Sequence, residues 1–125
     1  MVKAVPDQGL SRRQRLTRSS LFQDTYQQGR RWVGRYMVLW LREGDGASLR
    51  VGAAASRRVG GAVIRGRAKR RLREIFRQNR YKLSGSYDVV LVARRGLDQA
   101  PWNEVVKEFL GLVQKAGIQL GKEKL

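Results

Sequence analysis

Residues 56–80 constrain the fold more than any other segment, because they combine an apolar stripe with a dense run of arginines. The segment reads SRRVGGAVIRGRAKRRLREIFRQNR, and ten of its residues are Lys or Arg against one acid, Glu74. On a helix turning about 100° per residue, its apolar side chains fall within about 120° of one another. The pattern therefore predicts a helix over residues 63–80, with one core face and a cationic remainder. The core stripe consists of Ile64, Ala68, Leu72, Ile75 and Phe76.

The charge of the whole chain indicates a polyanionic partner. Its 125 residues include 27 Lys and Arg against 10 Asp and Glu, a formal charge of +17 at neutral pH. Such an excess repels itself in the compact state unless a partner neutralises it. Nucleic acid fits best, because phosphate neutralisation releases condensed counterions. A membrane surface is the competing partner, although its signature is a basic helix with a broad apolar face toward lipid.

Composition also excludes several kinds of site and suggests a compartment. The chain has no Cys and no His, which rules out disulfides, thiolate metal sites and Ser–His pairs. No run approaches ~18 apolar residues. The N-terminal sequence MVKAVPDQGLSRRQR lacks the apolar region of a secretory signal. We therefore expect an intracellular, cytoplasmic protein with no membrane association.

The remaining segments predict three strands and two further helices. LTRSSLFQDTYQQG suggests a short helix that ends at Gly29. RWVGRYMVLWLRE alternates as a strand does, with Tyr36, Val38 and Trp40 on one face. GDGAS then predicts a turn, and LRVGAAAS the returning strand of a hairpin. YDVVLVARR is typical of a strand covered on both faces. A last helix over 101–117 would bury Val105, Phe109, Leu112, Val113 and Ala116.

This order of elements predicts one α+β domain. Helix, strand, strand, helix, strand and helix fit a two-layer sandwich, a small mixed sheet with about three helices. Residues 1–15 are polar and basic and read as a flexible N-terminal arm. Residues 16–117 would form a single RNA-binding domain, and residues 118–125 a C-terminal tail.

The acidic residues give no sign of an active site built from protein side chains. A paired-carboxylate hydrolase or a two-metal nuclease needs several acids to converge. The ten acids of this chain form no close pair at a strand end, and its glycine pairs fit no nucleotide-binding fingerprint. We expect no catalytic residue and no metal ligand in the chain.

The basic helix has two interpretations, a solvated face or a nucleic-acid contact. Nine of the ten cations in residues 56–80 are Arg, and the guanidinium grips phosphate through two bonds where Lys offers a point charge. This preference favours RNA or DNA. The aromatic pairs Phe22 with Tyr26 and Tyr36 with Trp40 are equally ambiguous. They suit either core packing or a platform on which single-stranded bases stack.

SRRVGGAVIRGRAKRRLREIFR resembles the signature of the bacterial ribonuclease P protein subunit, approximately Ser-Lys-Lys-x-Gly-x-Ala-x-x-Arg-Asn-Arg-x-Lys-Arg. The flanking segments RLTRSSLFQDTYQQG and YDVVLVARRG match as well, so the resemblance covers about residues 15–117. It implies a protein that binds a large catalytic RNA, and this RNA, with its Mg²⁺ ions, removes the 5′ leader of precursor tRNA. It implies no cofactor on the protein's own side chains, no protein partner, and a fold with a left-handed βαβ crossover.

The resemblance also assigns residues. The contacts to the catalytic RNA would be Arg65, Arg67, Lys69, Arg70, Arg71 and Arg73. The leader cleft, between the first helix and the sheet, would be lined by Phe22, Tyr26 and Trp40, with Arg57 and Arg58 near its edge. Gly66 departs from the signature, which has Asn there. From composition alone, a ribosomal or other structural RNA-binding protein remains the alternative, and a membrane-active cationic protein a third class.

Overall fold

The computed structural model describes residues 19–28, 30–43, 49–83 and 85–118. The predicted N-terminal arm, the stop at Gly29, the GDGAS turn and residues 119–125 of the predicted tail lie outside this range. Ile118, the first residue of that tail, is only 3% exposed and packs in the core.

Within the described residues, three α-helices and a four-stranded mixed sheet make up the fold. The elements are α1 (Ser19–Gln27), β1 (Arg31–Val33), β2 (Met37–Glu43), β3 (Arg50–Ala54), α2 (Ala62–Asn79), β4 (Tyr87–Ala93) and α3 (Trp102–Ala116). The strand order is β1-β2-β4-β3, in which β3 and β4 are parallel and the other pairs antiparallel. The predicted α+β class with a mixed sheet is confirmed. β3, α2 and β4 form the βαβ unit that the resemblance implies, and its left-handedness stays a prediction.

The predicted hairpin between β2 and β3 is wrong. β4 lies between them, since Val89 pairs with Leu41 of β2 on one side and Val51 of β3 on the other. β4 is the most apolar strand and is buried along most of its length, so the central position removes most of its surface from water. The weak Gly- and Ala-containing strand β3 takes the edge instead.

The segment predicted as one long strand is two strands. The chain bends at residues 34–36, where the Gly34 N–H donates to the Met37 carbonyl at 2.8 Å. β1 thereby folds back on β2, with Trp32 opposite Leu39. Alternation along β2 holds from Met37 onward: Met37, Leu39 and Leu41 are fully buried. Tyr36 precedes β2 and does not share the strand face of Trp40, because the bend interrupts the alternation.

The two sheet faces are covered differently. The face of Leu39 packs against α2 and α3, whose rings Phe76 and Phe109 meet edge to face at 6.4 Å between centroids. The predicted stripes of both helices are buried, with Ile64 partly so. α1 packs on the opposite face, where Tyr26 contacts Trp40. The outer surface of α2 and the α1 side of the sheet are therefore separated by the sheet itself.

In the part of the chain that the structure describes, no helix is both long and apolar enough to cross a lipid bilayer.

Candidate nucleic-acid interface

The outer face of α2 concentrates positive charge that the described residues leave uncompensated. Among the described residues, none offers a salt bridge or hydrogen bond to the five cationic side chains on this surface. These side chains, which we call the α2 cationic face, are Arg65, Arg67, Lys69, Arg70 and Arg73. Like charges at this density repel one another, so a bound polyanion would stabilise them. Nearer the end of α2, Arg77 forms an ion pair with Glu74, and this pair adds no net charge to the helix surface.

Arg71 belongs to the same arginine run but has a different environment. Its Nη1 donates to the carbonyl oxygens of Leu97 at 2.8 Å and Ala100 at 2.7 Å. Its guanidinium also lies 5.3 Å from the ring centroid of Trp102, at the start of α3. The resemblance assigns Arg71 to RNA contact with its neighbours. The structure places it at the junction of α2 and α3, where its guanidinium binds protein atoms.

Two of the residues that the resemblance assigns to a leader cleft form an aromatic cluster between α1 and β2. The Tyr26 and Trp40 rings meet edge to face, with centroids 5.0 Å apart. Arg31, on the edge strand β1, lies over the Trp40 ring at 5.4 Å, within cation–π range. Phe22, one turn earlier on α1, is partly buried. Partial burial raises the pKa of the Tyr26 hydroxyl above its ordinary value.

A buried carboxylate shares this sheet face and was not predicted from the sequence. Asp88 is fully buried and accepts from Arg42 Nη1 at 2.5 Å and from Arg50 Nε and Nη2 at 2.9 and 2.8 Å. The hydrogen bond to Asp88 raises the pKa of Arg50. Arg42 lies two residues from Trp40, so both side chains project from the α1 face. Two guanidinium groups around one carboxylate leave a net positive charge beside the aromatic cluster.

A second unpredicted carboxylate fixes the bend between β1 and β2. Glu108 of α3 accepts hydrogen bonds from the backbone N–H groups of Arg35, Tyr36 and Met37 at 2.8, 2.8 and 2.9 Å. A Cβ on Gly34 would lie 2.5 Å from this carboxylate, so glycine is required there. The bend also directs the Tyr36 hydroxyl to Glu104 at 2.8 Å, and this hydrogen bond raises the pKa of Tyr36. These contacts join residues about seventy positions apart in the chain, so local sequence patterns do not predict them.

Arg57 and Arg58 lie in the exposed turn between β3 and α2. Arg58 lines a pocket of about 430 Å³ together with Arg94 and Arg95, which follow β4. The carboxyl ends of parallel strands meet at the same sheet edge, and this explains the convergence of these arginines. Arg94 also donates to the Gly34 carbonyl at 2.6 Å. The turn therefore adds positive charge at the sheet edge from which α2 starts.

The carboxylates of the described residues are mostly engaged by neighbouring groups. Arg30 binds Glu43, and Arg77 and Gln78 bind Glu74. The arginines around Asp88, the N–H groups around Glu108 and the Tyr36 hydroxyl at Glu104 complete this set. Within the described ranges, no three acidic side chains come together in a group that could hold a metal ion.

Comparison with known proteins identifies the family. The model of the Ribonuclease P family matches residues 10–117. The ribonuclease P protein component of Syntrophomonas wolfei is 30% identical over 109 residues, 87% of this chain and 92% of the relative. That of Symbiobacterium thermophilum is 36% identical over 105 residues, 83% and 91% of the two chains.

Solved structures agree in fold. The RNase P protein from Thermotoga maritima is 27% identical and superposes with a TM-score of 0.68 over 81% of this chain and 96% of its own. The Staphylococcus aureus RNase P protein, at 21% identity, has a TM-score of 0.73 over 85% and 97% of the two chains. The match to residues 10–117 includes the α2 cationic face, the aromatic cluster and the whole sheet. This chain belongs to the ribonuclease P protein family.

Proposed function

We propose that the chain promotes removal of the 5′ leader of precursor tRNA by binding two RNAs on opposite sides of its sheet. The catalytic RNA docks on the α2 cationic face, and the leader lies against α1 and the sheet, near Tyr26 and Trp40. The observation that carries this division is the sheet itself, which separates five uncompensated cations on α2 from the aromatic cluster on the other face. Dense charge suits a structured, phosphate-rich surface, whereas aromatic rings suit unpaired bases.

Catalysis in this proposal belongs to the RNA and its Mg²⁺ ions. Two described carboxylates do not fit a protein-held Mg²⁺, because Asp88 is enclosed by two arginines and Glu108 by three backbone N–H groups. The contribution of the protein is charge neutralisation and substrate positioning, and it needs no protein partner. The compartment follows from the substrate, since bacterial precursor tRNA is found in the cytoplasm.

A cleavage assay tests the activity. Precursor tRNA and a bacterial ribonuclease P RNA are incubated at low Mg²⁺ with and without the chain. We expect leader removal only when RNA and protein are both present, because the cations of the protein replace part of the ionic screening. Cleavage by the protein alone, or no effect of the protein on RNA-catalysed cleavage, would refute the proposal.

Removing charge from α2 tests the docking face. Arg65→Ala with Arg67→Ala should weaken binding of the catalytic RNA and reduce the slope of log K against log salt by about 1 to 2. The matched control is Lys107→Ala with Lys115→Ala, which removes the same charge from exposed positions on α3. An unchanged salt slope in the α2 variant, or an equal change in both, would contradict the assignment.

Removing the Trp40 ring tests the leader cleft. Trp40→Ala should weaken precursor tRNA binding by the assembled ribonucleoprotein by about tenfold, since one stacked base contributes ~1–3 kcal/mol. Mature tRNA, which has no leader, should bind as it does to wild type. Equal losses for the two tRNAs would mean that Trp40 supports the fold and does not contact the leader.

A further inference from the structure

An open cavity lies between α3 and the bend that joins β1 to β2. Its volume is about 350 Å³, within the range of small-molecule sites. None of its described lining residues belongs to the α2 cationic face or to the aromatic cluster. Part of the wall is apolar, with Val33, Gly111 and Leu112, and Val33 is 56% exposed. The cavity is therefore a separate candidate site that the proposed function does not use.

The carboxylate of Glu104 lines this cavity in a restrained orientation. Its Oε1 accepts a hydrogen bond from the Tyr36 hydroxyl at 2.8 Å. That bond occupies one of the roughly four lone-pair positions of a carboxylate. No cation of the described residues lies within salt-bridge distance of Glu104. The group therefore keeps acceptor positions for a hydrogen-bond donor on a ligand.

Three cations line the same cavity, Arg35, Lys107 and Lys115. Within the described ranges, none of them forms a salt bridge. The guanidinium of Arg35 lies 5.2 Å from the centroid of the Tyr36 ring. On α3, Glu104 and Lys115 are eleven residues apart, about 16 Å at a rise of ~1.5 Å per residue. The cavity thus has an acceptor near one end and positive charge toward the other, with apolar wall between them.

We propose that this cavity binds a free guanine nucleotide that carries at least two phosphates, with its base at Glu104 and its terminal phosphate at Lys115. The Watson–Crick edge of guanine presents two adjacent N–H donors, and these match the two oxygens of a carboxylate. Adenine and cytosine place a ring acceptor beside their amino group, so their edges fit a carboxylate less well. A terminal phosphate carries more charge than an RNA phosphodiester, which favours a free nucleotide at the lysine end.

Isothermal titration calorimetry at about 0.15 M salt tests the preference for the base. Guanosine diphosphate is compared with inosine diphosphate, which lacks the N2 amino group, and with adenosine diphosphate. All three carry the same phosphates, so the general attraction of a chain with charge +17 for anions cancels in the comparison. We expect guanosine diphosphate to bind about tenfold more tightly than either analogue, because each analogue loses a hydrogen bond to a charged group.

Two substitutions locate the site. Glu104→Gln keeps an acceptor for the Tyr36 hydroxyl but offers the base an amide N–H group, so the preference for guanine should disappear while adenosine diphosphate binds as before. A Cβ on Gly111 would meet no atom within 4 Å, so Gly111→Leu should project into the cavity and weaken all three diphosphates by about tenfold. The matched control, Glu43→Gln, removes an exposed carboxylate outside the cavity and should bind as wild type does.

Three results would overturn the inference. Equal affinities of wild type for the three diphosphates would mean that positive charge alone attracts them, and this comparison requires no variant to fold. Wild-type affinity and guanine preference in both Glu104→Gln and Gly111→Leu would place the site elsewhere. A guanosine-containing dinucleotide without a terminal phosphate that binds as tightly as guanosine diphosphate would assign the cavity to RNA. The leader-cleavage assay contains no free nucleotide, so the proposed function and this inference stand or fall separately.

Discussion

Replacing Asp88 with Asn should lower the free energy of unfolding by about 3 kcal/mol. The carboxylate is fully buried and accepts hydrogen bonds from both Arg42 and Arg50. Removing one partner of a buried ion pair costs ~3–5 kcal/mol, because the remaining charge stays poorly solvated. The two arginine side chains are 16% and 20% exposed, so they recover part of their hydration, and the loss should lie at the lower end of that range.

Urea unfolding followed by tryptophan fluorescence measures this change. An unchanged m value with a lower midpoint would show that stability changed without a change in the unfolded state. For a domain of about 100 residues, the expected loss also lowers the Tm by roughly 12–20 °C.

The control for Asp88→Asn is Glu43→Gln. Glu43 pairs with Arg30, but both side chains are more than 40% exposed, so we expect a change within about 0.5 kcal/mol. A loss below about 1 kcal/mol for Asp88→Asn, or equal losses in both variants, would refute the reasoning. It would mean that water already solvates the guanidinium groups around Asp88.

Three further predictions follow from single contacts. Glu108→Gln should cost about 2 kcal/mol in urea unfolding, because the three N–H groups of the 35–37 bend lose their charged acceptor; a change under about 0.5 kcal/mol would count against this. Arg71→Ala should lower the Tm, since Arg71 binds two carbonyl oxygens of the chain. It should also reduce RNA affinity less than Arg70→Ala does. A larger loss of affinity in Arg71→Ala than in Arg70→Ala would contradict the structural role of Arg71. Arg77 holds the pKa of Glu74 below its ordinary value of 4.5. Above pH 4.5, the free energy of unfolding of wild type should therefore be larger than that of Glu74→Gln by ~0.2–0.5 kcal/mol. This difference should disappear as pH falls through the lowered pKa, and a difference that persists in acid would disprove the linkage.

The helices and their buried faces could be predicted from periodicity. The stripe from Ala68 to Phe76 and the stripe from Val105 to Ala116 are buried as predicted, because burial of a helix face depends on spacing within one segment. The alternation along β2 was likewise correct from Met37 onward, since Met37, Leu39 and Leu41 share one face and are buried. Tyr26 and Trp40, which the resemblance assigned to a cleft between the first helix and the sheet, are in contact there.

Strand pairing and the polar contacts could not be predicted in this way. The sequence favours a hairpin of neighbours in the chain, but β4 displaces β3 because it has more apolar surface to bury. Asp88 lies at the start of β4, and its arginine partners come from two other strands. Glu108 lies on α3 and fixes a bend more than seventy residues away in the chain.

The sequence by itself determined the amphipathic helices, the polyanionic character of the partner and the family, because these depend on composition, period and local motif. Only the tertiary structure decided which cations of α2 lack a partner among the described residues, where Arg71 binds, and that the aromatic cluster and the α2 cationic face lie on opposite sides of the sheet. The physical reason is that charge compensation and burial depend on contacts between segments distant in the chain. Local spacing predicts which residues share a face, but the packing of the sheet decides which other residues that face contacts.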